Sequence, residues 1–130
     1  MKFQKLTPNL VVNDVQAAMN FYRNVLGFQS GITVPDKPPY VFGSVTNDGI
    51  EIFFNDKRAV GEDYPLLVAR PIGGTLTLFM EVAGIEEILK AVENSGVKIV
   101  MPLKTQFYGM REFAFEDPEG WVVTIAERVP

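Results

Sequence analysis

The chain reads as an α+β protein made of two βαβββ modules in tandem. Three features carry that prediction. Two helical stripes repeat: Val12, Val15, Ala18, Met19 and Tyr22 correspond to Val82, Ile85, Ile88, Leu89 and Val92, an offset of about 70 residues. Three strand-like runs follow each stripe. Each half also carries a hairpin turn, Asn47-Asp48-Gly49 in the first and Asp117-Pro118-Glu119-Gly120 in the second. In the second turn, Asp bonds its own backbone ahead, Pro presets φ, and Gly takes the left-handed position.

The first half opens on a strand over 3–12, with Leu6, Leu10 and Val12 alternating against Thr7, Asn9 and Val11. Pro8 inside it signals an edge or a bulge, because it has no N–H for a ladder. Asn13 suits a helix N-cap, with Gln16 three residues on. Val15, Ala18, Met19, Tyr22 and Leu26 make one apolar stripe, and Gly27 ends the helix. A short strand over 28–34, a proline-rich loop over 35–39 and a strand over 40–46 follow. The next strand, 50–54, sets Glu51 and Phe53 on one face and Ile50, Ile52 and Phe54 on the other.

Residues 55–74 show no sustained period and hold Pro65, Pro71, Gly61, Gly73 and Gly74, so they read as a linker with one helical turn near 66–69. A long irregular stretch of this kind often acts as a lid or a subunit contact. The pattern then restarts: a strand over 75–82, a helix carrying Ile85, Ile88, Leu89 and Val92 and stopped by Gly96, then strands over 97–103, 108–115 and 121–127. The expected division is one domain over 1–130, with modules at 1–55 and 75–130 and a linker at 56–74. A single module is too small to cover both faces of its sheet.

Composition narrows the function. The 130 residues are 47% hydrophobic and 22% charged, ordinary for a soluble globular protein. A net charge of −4 argues against nucleic acid, which requires a basic face, and favours a neutral or cationic ligand. With no Cys there is neither disulfide nor thiolate chemistry, and with no His the usual neutral-pH base and commonest metal ligand are missing. No apolar run approaches a membrane span, and Met1-Lys2-Phe3-Gln4-Lys5 lacks a signal peptide's apolar core. The expected location is the cytoplasm, with no membrane or nucleic-acid partner.

Certain residues carry a resemblance. They are Leu10-Val11-Val12-Asn13-Asp14-Val15, Phe21-Tyr22-Arg23-Asn24-Val25-Leu26-Gly27-Phe28, Gly49-Ile50-Glu51-Ile52, and Phe115 through Gly120. Together they resemble the vicinal oxygen chelate superfamily of glyoxalase I, bleomycin-resistance proteins and extradiol dioxygenases, nearly end to end. The resemblance implies sheets curled around a half-open groove, a homodimer, and metal-ligand positions falling here at Thr7, Glu51, Thr77 and Thr124. The metal enzymes place His, Gln or Glu there, whereas this chain offers one carboxylate and three hydroxyls. Such a set is poor for Zn, Ni, Fe or Mn and would hold Mg²⁺ or Ca²⁺ only weakly. Neither a metal nor another cofactor is therefore expected.

Within that groove, Glu51 is the one candidate for catalysis, as a base of raised pKa, or else a partner for a ligand cation. It also reads as a solvated acid, or as the relic of a metal site bonded to Thr77 or Thr124. Thr7, Asn9, Thr77 and Thr124 would supply hydrogen bonds, although Thr needs no ligand to justify its place in a strand. Phe42, Phe53, Phe79 and Tyr108 would line apolar walls, and Arg111 would reach a ligand or pair with a carboxylate. Glu81 and Glu112 share the groove parity, though each alone reads as an exposed acid at a strand end. Phe54, Phe113 and Phe115 belong to the core, and Trp121 by parity faces a helix. The function these residues favour is metal-independent binding that sequesters a cationic or amphipathic compound, such as an antibiotic. The alternative is a glyoxalase-like lyase or isomerase with atypical or no metal ligation.

Overall fold

A helix with one apolar stripe must lay that stripe on something, and here each of two helices lies on its own sheet. The computed structural model describes residues 1–130. It divides into two units, Met1–Pro71 and Ile72–Pro130. The first contains β1 (Asn9–Val12), α1 (Val15–Asn24), β2 (Gln29–Val34), β3 (Phe42–Asn47), β4 (Ile50–Asp56), α2 (Lys57–Val60) and α3 (Pro65–Val68). The second contains β5 (Thr77–Glu81), α4 (Ile85–Ser95), β6 (Ile99–Thr105), β7 (Met110–Glu116) and β8 (Val122–Arg128). Strand order is β1-β4-β3-β2 in one sheet and β5-β8-β7-β6 in the other. In each, the first strand runs parallel to the last and the remaining pairs are antiparallel. The mixed α+β architecture of two βαβββ modules matches the expectation.

In the first unit, Val15, Ala18, Met19 and Tyr22 are buried, as are Leu10, Val12, Val45, Ile52 and Phe54 on the strands. Tyr22 packs on Phe54 and Phe28, with ring centroids 5.3 and 5.9 Å apart. Burying rings of this size contributes about 1.5–3 kcal/mol each. Gly43 lets α1 sit close to β3. A Cβ there would come 2.4 Å from Met19 Sδ and 3.1 Å from Val15 Cγ1. In the second unit, α4 buries Ile85 and Val92, and Phe113, Phe115, Val123 and Ile125 complete the core. Ile88 and Leu89, expected in the same stripe, are only half-buried.

Four boundaries differ from the sequence reading. The first strand starts at Asn9, not residue 3, leaving Thr7 ahead of it and Leu6 88% exposed. Pro8 contributes only its carbonyl, which accepts from Phe53 N at 2.9 Å. The cap of α1 is Asp14, whose Oδ1 accepts from Ala17 N at 3.0 Å, and not the neighbouring Asn13. β4 continues to Asp56, and the stretch expected as a linker holds two one-turn helices. Asp56 caps the first of them, accepting from Arg58 N at 2.8 Å and pairing with the Arg58 guanidinium at 3.2 Å.

Both hairpin turns form as their residues dictate. Asp48 and Gly49 have φ of 45° and 83°, the left-handed pair of a type I′ turn. Asp117 Oδ1 accepts from both Glu119 N and Trp121 N at 2.9 Å, and Gly120 takes φ of 105°. No helix is long and apolar enough to cross a membrane.

Candidate functional site

Side chains on a strand alternate between faces, so a helix on one face leaves the other for function. In the first unit that free face carries Phe42, Ser44 and Thr46 on β3, each cross-paired with Asn55, Phe53 and Glu51 of β4. Asn9 of β1 lies beside Phe53. Phe42 and Phe53 meet edge to face, 5.1 Å between centroids. Asn55 donates to the Asn9 side chain. Glu51 is not a free carboxylate: Lys5 Nζ sits 2.5 Å from its Oε1. Ser44 is buried, and its Oγ accepts from Ile32 N at 3.0 Å.

In the second unit the helix-free face is laid out in rows. Phe79, Thr124 and Ala114 form one row, and Glu81, Ala126 and Glu112 the next. Thr77 and Thr124 share a hydroxyl hydrogen bond of 2.7 Å. Phe79 is 53% exposed. Glu112 is the unexpected residue. Rather than an exposed acid, it is a carboxylate only 3% exposed. Its Oε2 accepts from the Tyr108 hydroxyl at 2.6 Å and its Oε1 from Gln106 Nε2 at 3.4 Å. Both partners are neutral, while the nearby acid Glu81 lies 4.0 Å from Arg128. The hydrogen bond to Glu112, which only the protonated phenol can donate, raises Tyr108 above its ordinary pKa, with burial and then the Glu112 charge adding to it.

Arg111 departs from the expectation of a groove residue. It shares the helix-facing side of β7 with Phe113 and Phe115, and its Nη1 meets Glu86 of α4 at 2.5 Å. That hydrogen bond lowers the Glu86 pKa. The sequence offered one hint of the Glu112 site: an acid directly before the apolar run Phe113-Ala114-Phe115. Nothing local announced that Gln106 and Tyr108 fold back to cover it, or that Lys5 pairs with Glu51.

A separate cavity of about 380 Å³ in the first unit is lined by Asp14, Pro38, Pro39, Tyr40, Asp56 and Arg58, among others. Burial raises the Asp56 pKa, but the Arg58 side chain, the backbone N–H groups of Arg58 and Ala59, and the Arg58 charge more than offset it, so the carboxyl titrates below its usual value. Both acids at this cavity are thus already engaged, Asp14 as a helix cap and Asp56 with Arg58.

The four positions at which the resemblance would set a metal do not suit a transition ion. Thr77 and Thr124 are neutral hydroxyls bonded to each other, Thr7 is a third hydroxyl, and Glu51 already faces the Lys5 ammonium. Imidazole, thiolate or several carboxylates are the donors such ions need.

Solved structures share this fold across essentially the whole chain. TioX from Micromonospora sp. ML1 has a TM-score of 0.78 at 19% identity, covering 98% of this chain and 100% of its own. A superfamily member from Sphaerobacter thermophilus has a TM-score of 0.77 at 22% identity, with 98% of each chain covered. A family enzyme from Burkholderia phytofirmans has a TM-score of 0.79 at 21% identity, covering 95% of this chain and 97% of that one. A comparison with curated proteins finds no match. A family-wide sequence pattern matches residues 4–125, and with the paired βαβββ units and their turns it places the chain in the Glyoxalase/Bleomycin resistance protein/Dioxygenase superfamily.

Proposed function

We propose that the chain is a metal-independent binding protein that sequesters an amphipathic organic cation on the helix-free face of its second unit. The observation that carries this reading is Glu112, a buried carboxylate whose partners are neutral. Removing an ion from water costs several kcal/mol unless a counter-charge offsets it, so such a group is poised to accept a cation. The side chains beside it on the same face are small and buried, Ala126, Ala114 and Thr124, and the row of Thr124 ends on the half-exposed ring of Phe79. Two strand spacings and two residues of rise separate the Glu112 and Phe79 backbones by about 12 Å. That distance suits a ligand with a charged head and an apolar tail. The net charge of −4 favours the same class. Of the activities the family's name joins, the resistance proteins offer the nearest analogy.

Thr77 and Thr124 would offer the ligand hydroxyls, whereas Glu51, matched to Lys5, contributes little charge. We place the protein in the cytoplasm as a homodimer; apolar side chains left exposed on Ile32 and Val34 of β2 and Val100 of β6 support the assembly. The test uses 4-phenylbutylamine as a probe, by isothermal titration calorimetry and thermal shift. Binding should raise the melting temperature by mass action. Glu112→Gln, which keeps shape and removes charge, should sharply reduce that rise. A probe that does not bind, or binds Glu112→Gln as well as the wild type, overturns the reading.

A further inference from the structure

Resting on that reading of the Glu112 site, we propose that Tyr108 is a displaceable latch on Glu112, so that the site selects cations whose nitrogen still carries N–H bonds. The carboxylate is held by two donors, the Tyr108 hydroxyl at 2.6 Å and Gln106 Nε2 at 3.4 Å. The first is short and the second long, so Tyr108 is the principal occupant of the position a ligand would take. Both donors come from one tight turn between β6 and β7, closed by Gly109 N to Gln106 O at 3.1 Å, with Gly109 at φ of 87°.

Tyr108 is free to leave. The residue is 49% exposed, and its ring packs edge to face with Phe107, which is 99% exposed. Swinging the phenol outward therefore empties no core volume, unlike moving a buried ring. Glu112 is anchored differently, on β7 between Lys104 of β6 and Ala126 of β8. The moving part is the turn and the fixed part is the acid.

Selectivity follows from satisfying the carboxylate. When the phenol leaves, a buried oxygen loses its donor, and whatever replaces it must donate a hydrogen bond or leave that oxygen unpaired. A primary or secondary ammonium, or a guanidinium, donates and brings a positive charge as well. A quaternary ammonium brings the charge but has no N–H. The ligand class is thus an amphipathic amine or guanidine.

The same picture predicts that removing the latch strengthens binding, because the ligand no longer competes with the phenol. Calorimetry would compare 4-phenylbutylamine with its N,N,N-trimethyl counterpart on wild type, Tyr108→Phe and Glu112→Gln. The expected results are about tenfold weaker binding of the trimethyl compound to wild type and about tenfold tighter binding of the primary amine to Tyr108→Phe. Equal affinity for the two compounds overturns the proposal. So does unchanged or weaker amine binding by Tyr108→Phe, which would make Tyr108 a bystander or a direct ligand contact. If amine binding in these last cases still depends on Glu112, the latch alone falls. If wild type binds neither compound, or Glu112→Gln binds as wild type does, the cation site falls with it.

Discussion

The two units use one backbone plan, and the pairing registers let them be compared place by place. Asn9 beside Phe53 in the first unit occupies the place of Phe79 beside Thr124 in the second. Phe42, opposite Asn55, then corresponds to Glu112, opposite Ala126. Where the first unit sets an aromatic pair, Phe42 on Phe53, the second sets an acid and a hydroxyl. The counterpart of Glu51 is Val122. Each unit therefore has a carboxylate on its free face, but at different places and with different company. Glu51 is partly exposed and meets a lysine, while Glu112 is buried and meets a phenol and an amide. A charged partner in contact cancels an acid's field, whereas the donors on the Glu112 oxygens are neutral and the cation facing it, Lys104 across the β6–β7 ladder, makes no ion pair with it. Two carboxylates that look alike in the sequence thus have opposite surroundings.

The largest effect should come from the side the units share. Phe54→Ala, which empties the place filled by Ile125 in the second unit, should cost about 3–5 kcal/mol in urea unfolding. A loss well under 1 kcal/mol would mean the helix-facing core of the first unit is not the main source of its stability. Next is the contrast between the acids. Glu112→Gln should weaken 4-phenylbutylamine binding about tenfold or more, and Glu51→Gln less than about twofold, because only the first removes a buried charge that no cation contacts. Equal effects would erase the distinction drawn between the two faces.

A smaller change is expected for Lys5→Ala. The pair it breaks is largely solvated on the lysine side, so a double-mutant cycle with Glu51→Gln should return less than about 1 kcal/mol. The subtlest is a pH effect at Asp56. Its folded-state pKa is depressed, so its contribution is present above the ordinary carboxylate pKa and is lost as pH falls through the folded value. Stability measured from pH 5 downward should fall less steeply in Asp56→Asn than in wild type. Parallel curves would show that the pair with Arg58 adds nothing to acid stability.

Much of this was legible in the sequence because it is local. Helical spacing marked Val15, Ala18, Met19 and Tyr22, and turn chemistry marked Asp48-Gly49 and Asp117 through Gly120. Alternation also put Glu51 and Phe53 on one face, and the registers add Phe42 to it. What escaped depends on meetings between distant residues or between close competitors. Asn13 and Asp14 are equally good caps by type, and only the backbone path decides for Asp14. Pro8 was a visible warning, but how much strand it removed depended on where the ladder with β4 begins. Two helices of one turn each cannot show a period. Arg111 was open between ligand and carboxylate, and α4 supplied the carboxylate. The burial of Glu112 required knowing that a turn several residues upstream folds over it.

The order of strands has a consequence for how each unit comes into being. β1 bonds only to β4, and β5 only to β8, so the earliest strand of either sheet waits for the latest to be synthesised. The late strand is also the partner of β3 or β7, and so it stitches both sides at once. A chain interrupted before Val122 would therefore forfeit two ladders rather than one, leaving β5 with no neighbour in its sheet.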